Sequence, residues 1–454
     1  MTKPRIAIDG YNLALEQGTG VATYSRVLSQ ALGAMGAEVG VLYGLRGASG
    51  RDELGREVGL LVDAPRNPRG FSRTVADTIN VFKLRRGVTG KPVPMTDRVI
   101  RRGLESRTPH ADRLWNVHEL FRTAVIGFGT DARFGRVTLP EPPAVMHWTY
   151  PLPLHVNGVR NIYTIHDLVP LRMPYATLDH KRRYLGTVRG IAATADHIVT
   201  VSEASRRDVI SLLGVPEGRV TNTWQSVDIP ERLATKPEAL ARAEVEGAFG
   251  LTWGGYWLFY GAIEPKKNLG RLIEAHLASG IPHPLVIVGK LAWQSRQELA
   301  LLFETEGRIM YDPGPSDGTQ SFRRRLADRV ILLDYAPFRL LVSLIRGARA
   351  VAFPSLYEGF GLPVLEAMSL GTPVLTSNTA SLPEVAGDAA VLVDPYDTRG
   401  MAEAIQAIDA HDSLRAELAA RGLRRAALFS PEAYRARLAE LYTKFGVNLE
   451  AKPA

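Results

Sequence analysis

Short apolar runs recur along the chain, most of them followed by a stretch with helical apolar spacing, and this alternation sets the fold expectation. "RIAIDG" (Arg5 to Gly10) reads as a buried strand. A polar loop containing "GTG" (Gly18 to Gly20) follows, then apolar positions with helical period from about Val21 to Leu32, and "AEVGVLYGL" supplies a second strand. Strand, glycine loop, helix and strand in that order mark a parallel α/β domain. The rhythm then breaks: "GFSRTVADTINVFKLRR", "DRVIRRGLESR" and "DRLWNVHELFRTAV" all have helical spacing, separated by Pro and Gly. It resumes with "PAVMHW", "NIYTIHD", a helix near Asp179 to Ala193, "DHIVTVS", a helix after Ser202 and "GRVTNTW".

The charged, alanine-rich stretch from Ile229 to Gly250 has no strand pattern and reads as a linker or connecting helix. Beyond it a second α/β series begins: "YWLFYGAI", "NLGRLIEAHLAS", "PLVIVG", a helix near Gln294 to Phe303, "RVILLDY", "PFRLLVSLIRGA", "AVAFPS", "TPVLTS" and "AAVLVD". Thr398 to Phe445 is expected to be helical. A chain of 454 residues exceeds one ordinary core, and at roughly 150 residues per domain two domains are the natural division. We therefore expect a first domain over 1–235 with a basic insertion at about 66–136, a second domain over 236–425, and a C-terminal helix over 426–454 packing back on the first. Two α/β halves leave a cleft, a preferred place for a ligand.

Composition narrows the function. Apolar residues make up 45% and charged residues 22%, the balance of a globular protein rather than a disordered one. There are no cysteines, which excludes disulfides, cysteine nucleophiles and thiolate metal sites and fits a cytoplasmic location. The N-terminus lacks the apolar stretch of a signal peptide, and no run approaches the roughly 20 apolar residues of a spanning helix. The net charge of +8 is concentrated. Between Arg66 and Arg136 fifteen Lys and Arg face six Asp and Glu, so that this segment is +9 and the remainder about −1. Such asymmetry points to an anionic partner.

The most informative stretch is "YEGFGLPVLEAM", Tyr357 to Met368. An apolar strand ends at Pro354, a loop carries Gly359 and Gly361, and a helix is expected from near Leu362 with Pro363 in its first turn. Backbone N–H groups at a helix start, approached through glycines, form a natural phosphate site. Glu358 and Glu366 flank that site. Carboxylates beside a phosphate do not bind it; they suit hydroxyls on either side of it.

The E-x7-E arrangement in "EGFGLPVLE", followed by "AMSLGTPVLTSNTASLPEVAGDAAVLVDPYD", resembles the nucleotide-sugar-dependent retaining glycosyltransferases of family 4, whose two Rossmann-like domains face across a cleft (the GT-B fold). "GAIEPKKNLGRLIEA", "IYTIHDLVPL", "VTVSEASRRDV" and "GTGVATYSR" are similar to that family as well. The likeness spans the chain except the basic segment and the stretch near Gly307 to Arg325.

The resemblance implies roles for individual residues. Glu358 would bind hydroxyls of the donor sugar and Glu366 those of the nucleotide ribose. The backbone of Gly359, Phe360, Gly361 and Leu362 would reach the sugar and diphosphate, and Lys267 would neutralise the diphosphate. The family pattern G-R-L-x-x-x-K has Ala262 in place of its arginine here, and Lys266 is the candidate replacement, since a departing nucleotide diphosphate needs its growing charge stabilised. His166 and Asp167 in "TIHDLVP" follow a parallel strand, where open α/β sheets bind ligands. His166 is expected beside the donor sugar; Asp167 either faces the acceptor or caps the following turn. The "GTG" loop lacks the third glycine of a dinucleotide fingerprint, so Gly18 and Gly20 are expected to serve the donor phosphate or make room for the acceptor.

No Asp-x-Asp motif occurs, and no His cluster has metal-ligand spacing, so transfer without a metal or other cofactor is expected, with the nucleotide sugar as co-substrate. Retention by double displacement would need a carboxylate beneath the anomeric carbon. Only Glu358 is a candidate, and by resemblance it approaches from the wrong side, which favours front-face attack with the leaving phosphate as base. Likeness to bacterial mannosyltransferases of surface polysaccharide assembly favours GDP-mannose, with UDP-, dTDP- and other GDP-sugars behind it. Arg85, Arg86 and the rest of the basic segment are expected to meet a glycan or lipid-pyrophosphate-linked acceptor or an anionic membrane face, making the protein peripheral on the inner side of the cytoplasmic membrane. Two other classes are weighed. A sugar-nucleotide epimerase would need no acceptor. A nucleic-acid-binding protein would show salt-dependent affinity, but it leaves the paired glutamates unexplained.

Overall fold

A computed structural model describes residues 3–13, 20–47, 52–61, 71–96, 110–178, 180–290, 298–299, 309–312, 323–326 and 329–450. They form two compact units, 1–172 with 179–226 and 431–454, and 173–178 with 227–430.

The first unit is built on an eight-stranded sheet. From edge to edge its strands are Val220–Asn222, His197–Thr200, Arg160–Ile165, Val145–Trp148, Arg5–Asp9, Glu38–Tyr43, Arg113–Asn116 and Lys91–Val93. All pairings are parallel except the last. The central strands are largely buried and rich in apolar residues because helices cover a parallel sheet on both faces. A smaller parallel sheet joins Val88–Thr89, Gly135–Thr138 and Leu154–Val156.

One expectation is corrected here. "DRLWNVHELFRTAV" has helical spacing, yet its first part forms the strand Arg113–Asn116, and only Leu120–Asp131 is helical. The reason is tertiary: Trp115 lies over Gly40 of the neighbouring strand, where a Cβ would stand 2.2 Å from the indole. The basic segment is therefore not wholly an insertion, since two of its strands complete the main sheet.

The second unit has six parallel strands, Val330–Leu333, Leu285–Val288, Trp257–Tyr260, Ala350–Phe353, Val374–Ser377 and Val391–Val393 in spatial order. An antiparallel hairpin, Ile309–Asp312 with Arg323–Leu326, extends its first edge and was not foreseen. The stretch read as a linker or connecting helix forms the helices Glu231–Ala234 and Glu238–Phe249, which belong to this unit. Ala241, Val245 and Phe249 are buried at four-residue spacing, and Glu244 accepts hydrogen bonds from Lys236, Arg339 and Ser343, each at 2.6 Å. The helix near Gln294 to Phe303 and the helix in "DRVIRRGLESR" lie largely or wholly outside the described residues.

The C-terminal region forms three helices, Thr398–Ala410, Asp412–Ala427 and Pro431–Thr443. The last belongs to the first unit, burying Tyr434, Leu438, Leu441 and Tyr442. The Tyr442 hydroxyl stands 2.7 Å from Nδ1 of His147, whose burial holds its pKa down to about 3. No described helix is long and apolar enough to cross a membrane.

Candidate active site

In the second unit the candidate residues gather where neighbouring parallel strands end. Trp257–Tyr260 leads through Gly261 to a short turn, Pro265–Lys267, and Ala350–Phe353 leads into the loop that carries Glu358. The two loops are stitched together: the Leu356 N–H donates to the Lys266 carbonyl at 2.8 Å. Asn268, in a left-handed conformation (φ 60°), donates from Nδ2 to the carbonyls of Pro354 at 3.1 Å and Pro395 at 2.7 Å. Asn268 thus ties three strand ends together. The sequence reading missed it.

Lys267 Nζ donates to Glu358 Oε1 at 2.6 Å, and both side chains are nearly buried, 13% and 10% exposed. Burial pushes the Glu358 carboxyl up, but Lys267 and Lys266 outweigh it and hold the group below the usual carboxylate range. Lys267 also lies 4.9 Å from the centre of the Phe353 ring. Lys266 Nζ stands 3.5 Å from Glu264.

After Glu358 the chain turns through Gly361 (φ 111°) into the helix Leu362–Ser369. A Cβ at Gly361 would meet Leu382 Cδ2 at 2.7 Å, so both the torsion and the packing call for glycine. The Ser381 hydroxyl lies 2.8 Å from each of the Glu358 and Phe360 carbonyls and fixes the loop from behind. Phe360 points into the core against Phe429, ring centres 5.7 Å apart, which leaves its backbone, not its ring, for a ligand. Glu366 lies one turn into the helix, half-buried, and burial raises its pKa to about 7 while a hydrogen bond with Tyr260 opposes the rise. The Tyr260 hydroxyl also lies 2.8 Å from the Pro363 carbonyl, which competes with Glu366 for its one proton. Tyr260 was also missed, although an aromatic hydroxyl at the end of an apolar strand is a readable signal.

In the first unit His166 follows the strand Arg160–Ile165, with its Nε2 2.9 Å from the Thr149 carbonyl. Burial lowers its pKa. Asp167 accepts a hydrogen bond from the Val169 N–H at 3.1 Å, so of its two expected roles the structure displays the turn cap. Gly20 is the first residue of the helix Gly20–Ala34, and Gly18 lies outside the described residues. Arg85 is engaged locally by Asp131 at 2.9 Å and Thr130 at 2.7 Å. Arg86 stacks over Phe82 at 4.1 Å and is exposed. Asp9, fully buried at the end of the first strand, was passed over in the sequence; a lone acid closing an apolar strand was its signal.

Two α/β units, with a lysine–glutamate pair beside a glycine-led helix at the strand ends of one of them, define the architecture of a GT-B transferase. Known proteins agree. Residues 318–425 match the family model "Glycosyl transferases group 1" and residues 99–229 match "Glycosyltransferase Family 4". The chain is 33% identical over 285 residues to O-antigen chain mannosyltransferase B of Escherichia coli, covering 60% of this chain and 67% of that protein. It is 28% identical over 299 residues to the serotype-specific mannosyltransferase WbdA of Escherichia coli, covering 62% of this chain and 33% of the relative. Among solved structures, sucrose-phosphate synthase from Thermosynechococcus elongatus superposes with a TM-score of 0.64 at 21% identity, over 98% of this chain and 99% of that one. Anabaena HepE in complex with UDP-glucose gives 0.62 at 15%, over 97% and 99%. The chain belongs to the GT-B glycosyltransferases with group 1 and family 4 domains, and it is a glycosyltransferase.

Proposed function

We propose that the chain transfers a mannosyl group from GDP-mannose to a hydroxyl of a glycan or lipid-pyrophosphate-linked acceptor in O-antigen-type polysaccharide assembly. Transfer proceeds with retention and without a metal. The observation that carries this reading is the convergence, at adjacent strand ends, of the Lys267–Glu358 pair, the helix that starts after Gly361, and Glu366. The helix N-terminus and the two lysines supply positive charge for a diphosphate. Glu358 and Glu366 lie on either side of the helix start and suit hydroxyls of the sugar and of the ribose. The names of the relatives favour mannose.

The pair also bears on the mechanism. Glu358 is hydrogen-bonded to Lys267 and held ionised, a state suited to accepting hydroxyl protons. As a nucleophile it would first have to leave Lys267. Front-face attack, with the departing phosphate taking the acceptor proton, asks for no such rearrangement. The basic segment adds an anionic membrane face as a partner. On the helix Phe71–Arg86, Val75, Ile79 and Phe82 are exposed, opposite the buried Val81 and Leu84, with Lys83 and Arg86 beside them. An outward stripe of apolar and basic residues suits a bilayer surface carrying anionic lipid.

The test is a panel of nucleotide sugars offered to the protein with and without EDTA, with Glu366→Ala alongside and the product anomer determined. The reading expects stabilisation by GDP-mannose, EDTA-insensitive turnover and a product retaining the donor's anomeric configuration. Absence of binding by any nucleotide sugar overturns it.

A further inference from the structure

We propose that Asp9 is a positioning residue for His166: acting through Thr149, it fixes the imidazole as the tautomer protonated at Nε2, leaving the lone pair on Nδ1. The use of that lone pair in group transfer rests on the function proposed above; the tautomer does not.

Asp9, Thr149 and His166 stand at the ends of three adjacent parallel strands, Arg5–Asp9, Val145–Trp148 and Arg160–Ile165. Oδ2 of Asp9 accepts from both donors of Thr149, its backbone N–H and, at 2.9 Å, its hydroxyl, while Oδ1 accepts from the Tyr11 N–H at 3.1 Å. With its N–H and hydroxyl both held, Thr149 is anchored at the point from which its carbonyl, in the next peptide, projects. That carbonyl lies 2.9 Å from Nε2 of His166. A carbonyl oxygen only accepts, so the proton of this hydrogen bond sits on Nε2.

The remaining restraints keep the ring in place. The Ser205 hydroxyl donates to the His166 carbonyl at 2.7 Å. Tyr24 packs edge-to-face on the imidazole at 4.8 Å and 88°, with its own hydroxyl 2.9 Å from Thr164 Oγ1. Burial lowers the His166 pKa, so the ring is neutral at pH 7 and Nδ1 carries a lone pair. Asp9 is raised by burial to about 6, against the hydrogen bonds from Thr149 and Tyr11, and is mostly ionised at that pH.

The chemical consequence is that Nδ1 in this tautomer accepts a hydrogen bond, as from a hydroxyl, and cannot donate one to an anionic oxygen.

The experiment is 15N NMR of histidine-labelled full-length protein at pH 7 without nucleotide sugar, with His166 assigned by difference against His166→Gln. Nε2 protonated and Nδ1 unprotonated is the expected result; a proton on Nδ1 overturns the proposal. Because no sugar is present, this outcome is independent of whether the donor has been identified correctly. Asp9→Asn, checked for folding by its melting curve, turns an NH2 or a weaker acceptor toward Thr149. It is expected to move the His166 ring signals and to lower kcat by about tenfold to a hundredfold with donor KM unchanged. Thr149→Ser, which keeps both donors, should leave the His166 ring signals where they are in the wild type. Unmoved His166 signals in folded Asp9→Asn refute the part assigned to Asp9. Should that variant not fold, Thr149→Val makes the same comparison with one donor removed.

Discussion

Glu366 gives the reading a quantitative test. Burial raises this carboxyl to about 7, and a carboxylate must be ionised to accept from both hydroxyls of a ribose diol. With that midpoint, about 10% is ionised at pH 6 and about 90% at pH 8, so affinity for the nucleotide should rise nearly tenfold, about 1.3 kcal/mol. GDP-mannose is the suitable probe because its diphosphate is doubly esterified and does not titrate in this range. Calorimetric titration at pH 6, 7 and 8 and constant ionic strength measures the effect. Glu366→Gln should remove the slope and weaken binding at pH 8 by roughly 1–2 kcal/mol, the difference between a charge-assisted and a neutral hydrogen bond. The apo-protein should show the opposite trend. The folded state holds this proton up to about pH 7 while the unfolded chain releases it near the ordinary glutamate value of 4.5, so stability falls as pH rises between the two, by about 3 kcal/mol. A pH-independent Kd in the wild type, or an unchanged slope in Glu366→Gln, refutes the argument.

Three further outcomes follow from the geometry. Lys267→Met leaves Glu358 buried without its closest cation and should lower unfolding stability by about 3–5 kcal/mol in chemical denaturation, with much of the loss recovered in the Lys267→Met, Glu358→Gln double variant. The depressed Glu358 pKa contributes stability above the unfolded value and loses it as pH falls through the folded one, so wild type and double variant should converge in acid. Gly361→Ala forces a side chain into φ 111° and against Leu382, and should cost about 1–3 kcal/mol by thermal melting while weakening GDP-mannose binding. Ile79→Asp with Phe82→Asp should abolish co-sedimentation with vesicles containing anionic lipid, leaving soluble-acceptor turnover intact; undiminished co-sedimentation would remove the membrane-face assignment.

Much of the architecture was legible because a doubly covered parallel sheet leaves a one-dimensional trace, short apolar runs such as "WLFY", "LVIV" and "AVAF" separated by helical spacing. The strand Arg113–Asn116 was not, because its identity depends on what lies beside it. "RLWN" has no alternation, and only the bare surface of Gly40 two strands of sequence earlier makes room for Trp115. The site divides in the same way. Glu358 and Glu366 sit in one dense local motif and Lys267 in another, whereas Asp9, Thr149 and Tyr260 act through partners 140, 17 and 103 positions away and outside any motif. Pattern reports what is near in sequence; buried polar contacts report what the fold has brought near.

The Lys267–Glu358 pair ties stability to chemistry. A buried ion pair gains its Coulomb energy only after both partners are desolvated, and exchanging one partner for another of the same sign is far cheaper than removing one. A diphosphate arriving beside Lys267 offers that ammonium a second anion, while a sugar hydroxyl offers Glu358 a neutral donor. Binding of the donor can therefore redistribute contacts within the pair without exposing an unpaired charge. A nucleoside diphosphate lacking the sugar offers the anion alone, so Glu358 would lose part of its partner with nothing in return. On this argument the sugar contributes to affinity through Glu358 even without many contacts of its own. GDP-mannose should bind more tightly than GDP in the wild type, and that preference should shrink in Glu358→Gln.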